Sequence, residues 1–196
     1  MDGRPELVLA SGSPRRTELL ALLGLCFKIV PADIDESAHE RESPSAYVAR
    51  LAAGKAMVVA KGQPATVVIG ADTAVVVDED IVGKPADAAE ARTTLRRLSG
   101  RAHEVRTGLA VVHGDDIAET VVSTYVWFTE LDEATIDWYV ATGEPLDKAG
   151  AYGIQGVGGA FVEAIQGSYH NVVGLPLVEL SELVVDLGFE LRDWAT

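Results

Sequence analysis

Cysteine is nearly missing from this chain of 196 residues: Cys26 stands alone. No internal disulfide can form, so a reducing cytoplasm is the expected compartment. One cysteine and four scattered histidines offer no ligand spacing for zinc. Basic charge is also scarce. Sixteen Lys and Arg stand against thirty Asp and Glu, a formal charge of −14, which argues against a nucleic-acid-binding surface. No apolar run reaches the roughly 18 residues that a membrane span needs. The start, MDGRPELVLASGS, has an acid at position 2 and too short an apolar stretch for a secretory leader. The common signatures are missing as well: GxxxxGK followed by Ser or Thr, GxSxG, and the third glycine that Gly156-Val-Gly158-Gly159 would need for GxGxxG. Repeats, low-complexity tracts and long linkers are absent too.

What is present fits one domain over residues 1–196. Hydrophobic residues make up 48% and charged residues 23%, and a chain of this length buries about 70% of its unfolded surface. Glu6 to Ala10 reads as a strand, Ser13-Pro14 as the cap and first residue of a helix running to Gly24, and Phe27 to Ala32 as a second strand. This alternation predicts an α/β fold. A helix follows from Ser43-Pro44 to about Lys61. Two β-rich runs then flank Ala71-Asp72-Thr73 and close at a turn near Asp78 to Asp80. Asp87 caps a helix through Leu98. His103 to His113 and Ile117 to Thr129 form a hairpin, and a helix spans Asp132 to Ala141. Thr142 to Gly159 reads as a long functional loop, and GSYHNVVG as the entry to a last helix from about Pro176 to Leu187.

Three features stand out against this pattern. Arg15 and Arg16 follow Ser11-Gly-Ser13-Pro14 at the positive end of a helix, where a cation is unfavourable unless an anion binds, and the serine hydroxyls suit a phosphate. Lys55 falls on the apolar stripe of Val48, Leu51, Ala52 and Val59, so it either snorkels past the core edge or reaches an anion. Asp72 lies between apolar runs with no basic neighbour in sequence. It needs a partner or a metal, unless it is a turn aspartate bonded to its own backbone. Lys84 in Gly-Lys-Pro and Lys148 in DKAGAYGIQG add lysines in loop settings.

In order along the chain, SGSPRR, Asp35-Glu36, YVARLAAGKA, GADT, GKP, DKAGAYGIQG and GSYHNVVGLPL resemble the Maf family of nucleoside triphosphate pyrophosphatases. The resemblance covers Leu9 to about Leu187. It implies an inosine-triphosphatase-like α/β fold, a mixed sheet with flanking helices in two lobes around a central cleft. Residue by residue it marks Asp72 as the proton acceptor, Glu36 as the acid ahead of the second helix, and Lys55 and Lys84 as catalytic lysines. Ser11, Ser13, Arg15 and Arg16 look like part of the triphosphate cradle. It further implies a divalent cation, Mg2+ or Mn2+, held by Glu36 and Asp72, and a homodimer.

The implied reaction is attack of water on the α-phosphorus, giving a nucleoside monophosphate and pyrophosphate. Lys55, Lys84 and Arg16 would offset the growing negative charge; whether Asp72 is base, metal ligand or both stays open. In the subgroup that prefers dTTP and UTP, three positions carry Arg, Thr and Gln, matching Arg15, Thr73 and Gln155 here, whereas the sister subgroup that prefers 7-methyl-GTP carries an aromatic residue, Gln and Glu at those positions. A regulator of cell division or septum formation that binds nucleotide with little turnover is the alternative, and a phosphatase releasing orthophosphate is a third.

Overall fold

The computed structural model describes residues 4–63 and 65–195; the acid at position 2 lies outside them. Seven strands hydrogen-bond into one mixed sheet. They are β1 (Glu6–Leu9), β2 (Lys28–Ile29), β3 (Thr66–Val77), β4 (Asp80–Val82), β5 (Ala102–His113), β6 (Asp116–Phe128) and β7 (Val162–Gln166). Their order is β2-β1-β3-β5-β6-β7, with β4 paired to β3. β1 runs parallel to both β2 and β3, whereas β4 is antiparallel to β3 and β7 to β6. The helices are α1 (Pro14–Leu22), α2 (Pro44–Ala60), α3 (Ala88–Leu98), α4 (Glu133–Ala141), α5 (Tyr169–Val173) and α6 (Leu177–Asp186). Among the described residues no helix is long and apolar enough to cross a membrane.

Capping chemistry sets most helix starts. The Ser43 hydroxyl accepts from Ala46 N, Asp87 from Ala89 N and Glu90 N, and Asp132 from Thr135 N. Ser13 differs from expectation. It precedes Pro14 in an extended conformation, but its hydroxyl makes no capping bond, and its N–H instead donates to Ser11 Oγ at 3.2 Å.

Two strands differ from the sequence reading. β2 has only two residues, both exposed, and Pro31 just beyond them cannot donate to a ladder. β3 is one strand of 12 residues rather than two, with Asp72 inside it. The ladder continues because the Asp72 carboxylate finds its partner on α2 instead of folding back on its own backbone. Its turn to β4 places Asp78 and Glu79 at φ 52° and 62°, the pair of positive values that a two-residue hairpin requires. The segment from Thr142 to Gly159 is wound into short 3-10 turns, and the last helix leaves Leu177 and Leu187 only partly buried.

The chain divides into two compact units. The first comprises Met1–Asp72, Thr107–Val122 and Gly174–Thr196. Its core joins Val8, Val68, Ala110 and Val112 of the sheet to Ala52, Ala53, Ala56 and Val59 of α2. The second comprises Thr73–Arg106 and Ser123–Val173. It packs α3 and α4 around Leu95, Leu98, Val105, Phe128, Ile136, Tyr139 and Phe161.

Candidate active site

In the first unit, absent side chains decide how closely α2 approaches the sheet. A Cβ on Gly70 would fall on the backbone oxygen of Ala52 and come within 2.9 Å of the Ala56 methyl, and one on Gly108 would strike the carbonyl of Val48. α2 therefore lies on β3 and β5 nearly backbone to backbone, through alanines. Lys55 shares that helix face, and Asp72 shares the strand face of Gly70, two residues away. The consequence is a short pair: Lys55 Nζ donates to Asp72 Oδ1 at 2.7 Å, with both residues buried.

The same ammonium meets Glu36 Oε1 at 2.6 Å. Glu36 arrives on the irregular stretch between β2 and α2, and α2 fixes that stretch in turn. Tyr47 OH donates to the Glu36 carbonyl at 3.0 Å, and Arg50 Nη2 to the Ser37 carbonyl at 3.0 Å. Arg50 also makes a bidentate pair with Glu42 at 2.6 and 2.7 Å, and its hydrogen bonds hold the Glu42 carboxyl pKa down to about 2. Burial raises the Tyr47 phenol pKa, and the negative charges of Asp72 and Glu36 raise it further.

Arg16 completes this cluster. Its Nε donates to the Gly174 carbonyl at 2.8 Å and its Nη1 to Ser11 Oγ at 3.2 Å. Burial lowers its pKa, Asp72 opposes that fall, Arg15 adds to it and Glu36 opposes it again. Arg16 thus belongs to the field of both carboxylates, and Ser11 and Ser13 are linked to it through the Ser11 hydroxyl. The structure joins Ser11, Ser13 and Arg16 by hydrogen bonds and Glu36, Lys55 and Asp72 by ion pairs, with Arg16 within electrostatic reach of both carboxylates. Most cationic side chains of this acidic protein are paired with carboxylates. Arg15 and Lys84, like Arg4 and Lys61, have none within 4 Å among the described residues.

Thr73, Lys84 and Gln155 belong to the second unit. Thr73 is half-buried in β3, Lys84 is exposed, and Gln155 is exposed on a turn closed by Gly156 N donating to the Gly153 carbonyl at 3.1 Å. The Gly-Lys-Pro segment is joined to the DKAG segment where Gly150 N donates to the Gly83 carbonyl at 3.1 Å. Lys148 is occupied within its own segment, donating to the Glu144 carbonyl and to Asp147. His170 lies half-buried in α5, where GSYHNVVG forms a short helix rather than a loop. Asn171 beside it is fully buried and ties Val105 O to Thr124 Oγ1.

Sequence reasoning did not single out Tyr47, Arg50, Glu42 or Gly70. A signal for the first two existed, since Tyr and Arg lie on one helix face three residues apart, but nothing in sequence says that they reach back to residues 36 and 37.

A family model described as Maf-like protein matches residues 6–187. The chain belongs to the Maf family. A dTTP/UTP pyrophosphatase of Symbiobacterium thermophilum is 49% identical over 186 residues, covering 95% of this chain and 96% of the relative. One from Anaeromyxobacter dehalogenans is 54% identical over 191 residues with the same coverage. Among solved structures, a HAM1 protein from Coxiella burnetii superimposes with a TM-score of 0.51 at 17% identity, covering 93% of this chain and 99% of that one. At that identity the likeness concerns the fold alone, and the Maf chain has the inosine-triphosphatase-like α/β architecture expected of it.

Proposed function

We propose that this protein hydrolyses dTTP and UTP to the nucleoside monophosphate and pyrophosphate. The observation that carries the reading is the convergence of Glu36 and Asp72 on the Lys55 ammonium beside Arg16. Relatives that match nearly the whole chain bear the name dTTP/UTP pyrophosphatase. In this reading Asp72 takes the proton of the attacking water, and burial against Lys55 holds its carboxylate in one orientation. Arg16, oriented by Ser11 and the Gly174 carbonyl, faces the phosphates; Lys55, Arg15 and Lys84 add positive charge as the leaving pyrophosphate departs.

Glu36 and Asp72 are the residues that would hold a divalent cation, Mg2+ or Mn2+. They fit one: two hard carboxylate donors already converge on a single positive charge. Among the described residues no group of three or more His, Cys, Asp or Glu surrounds such a site. Magnesium is commonly held by one or two carboxylates and completed by substrate phosphates. When bound, the cation supplies neutralisation and polarisation of phosphoryl oxygens. The base-selecting positions in this reading are Arg15, Thr73 and Gln155.

The test is a panel of nucleoside triphosphates with and without Mg2+ or Mn2+, with both phosphate products measured. Pyrophosphate from dTTP and UTP, dependent on the metal, is the expected result. Orthophosphate as the first product, or tight nucleotide binding without turnover, would overturn it.

A further inference from the structure

The turn that carries Gln155 is pinned from below by one carboxylate. Glu144 Oε2 accepts from Val157 N at 2.9 Å, and Glu144 Oε1 accepts from Gly158 N at 3.1 Å and from the Tyr139 phenol at 2.8 Å. The phenol oxygen in turn accepts from Gly153 N at 3.2 Å. Gly153 and Gly156 close the turn around Ile154 and Gln155. The backbone on both sides of Gln155 is thus fixed to one Glu–Tyr pair.

The glycines of this segment record how close the pair comes. A Cβ on Gly156 would fall on the Glu144 carboxylate, and one on Gly158 would come within 2.6 Å of the Tyr139 hydroxyl. One on Gly153 would meet the Lys148 side chain at 2.8 Å and Glu144 Oε1 at 3.2 Å. Tyr139 is fully buried in the core of its unit, so the anchor does not move with solvent. Burial raises the Glu144 carboxyl pKa, but the N–H groups of Gly158 and Val157 and the phenol outweigh it, leaving the group below its ordinary value and ionised.

We infer that Glu144 and Tyr139 are positioning residues for base selection: they hold the Gln155 carboxamide in the orientation that distinguishes a uracil or thymine edge from a purine. The inference rests on the reading of Gln155 as a base-selecting residue. A carboxamide on an unpinned turn would present donor and acceptor in many directions and lose its discrimination, whereas the phosphate chemistry would proceed unchanged.

The experiment measures kcat/KM for dTTP and for GTP in the full-length wild type and in Glu144→Gln, Tyr139→Phe, Gln155→Ala and Glu144→Gln/Gln155→Ala. Glu144→Gln puts an amide donor against a backbone N–H or the phenol, and Tyr139→Phe removes the hydroxyl while keeping the ring in its packing. In each, the dTTP-to-GTP ratio is expected to fall about tenfold, mainly through KM for dTTP, with GTP turnover little changed. The double variant should show no further loss of ratio beyond Gln155→Ala. A general loss of structure would lower both substrates together and leave the ratio intact, and that result overturns the inference. A ratio that collapses in Gln155→Ala but holds in both Glu144→Gln and Tyr139→Phe also overturns it, while leaving the Gln155 assignment standing. A ratio untouched by Gln155→Ala overturns the assignment and the inference together.

Discussion

The phenol of Tyr47 donates to the backbone carbonyl of Glu36 at 3.0 Å, which fastens the exposed loop bearing one carboxylate to the helix bearing Lys55. Tyr47→Phe keeps the ring and removes this bond. A single neutral hydrogen bond is worth about 1 kcal/mol, so kcat is expected to fall about fivefold as Glu36 loses its fixed position. The same loss should lower the melting temperature by only about 2–4 °C. An unchanged kcat would mean that Arg50 alone orders the loop.

Asp72→Asn is expected to reduce turnover by about 10² or more while the fold survives, because the side chains are nearly isosteric and Lys55 retains Glu36. Full activity with magnesium in the purified variant would remove Asp72 from the chemistry.

From the helix stripe alone, Lys55→Met is expected to keep its packing and lose only activity. The structure changes that expectation. Met at this position leaves the buried Asp72 carboxylate without its ammonium partner, so a destabilisation of about 3–5 kcal/mol should accompany the loss of turnover. Lys55→Met/Asp72→Asn should recover stability but not activity. Urea unfolding of the two variants side by side separates these outcomes.

His103 makes folding stability depend on pH. Its imidazole is pushed down from 6.5 to about 4 by burial, reinforced by the positive charge of Arg101. Between those values only the unfolded chain binds the extra proton. Stability is therefore complete above about pH 6.5 and drains away as pH falls towards 4, with a loss of about 2 kcal/mol already at pH 5. The urea midpoint should fall between pH 7 and pH 5. His103→Gln, which keeps a polar partner for Tyr152 OH, should flatten that dependence; an equal slope in the variant would refute the assignment.

The base preference gives a further expectation. Gln presents both a donor and an acceptor to the edge of uracil or thymine, whereas Glu only accepts and suits guanine. Arg15→Trp, Thr73→Gln and Gln155→Glu together should lower kcat/KM for dTTP and raise it for 7-methyl-GTP. If the ratio stays put, the three positions do not select the base.

The site was partly legible because its residues violate their local setting. Lys55 on an apolar stripe and Asp72 between valine-rich runs each demanded a partner, and the structure shows that they satisfy one another. Their pairing was not readable, since 17 residues and a loop separate them in sequence. The Tyr47 and Arg50 contacts were hidden for the opposite reason. Both residues are ordinary on a half-exposed helix face, and their targets are backbone carbonyls, which carry no residue identity. Asp72 was misplaced into a gap between strands because propensity disfavours aspartate in a ladder, a penalty that the lysine offsets.

Thermostability engineering commonly begins by replacing glycine with alanine inside regular structure, since the added methyl stiffens the unfolded chain. At Gly70 that rule inverts. The methyl would push α2 off β3 and lengthen the reach of Lys55 to Asp72, so a library screened for activity should tolerate only glycine at position 70, although that residue bears no functional group.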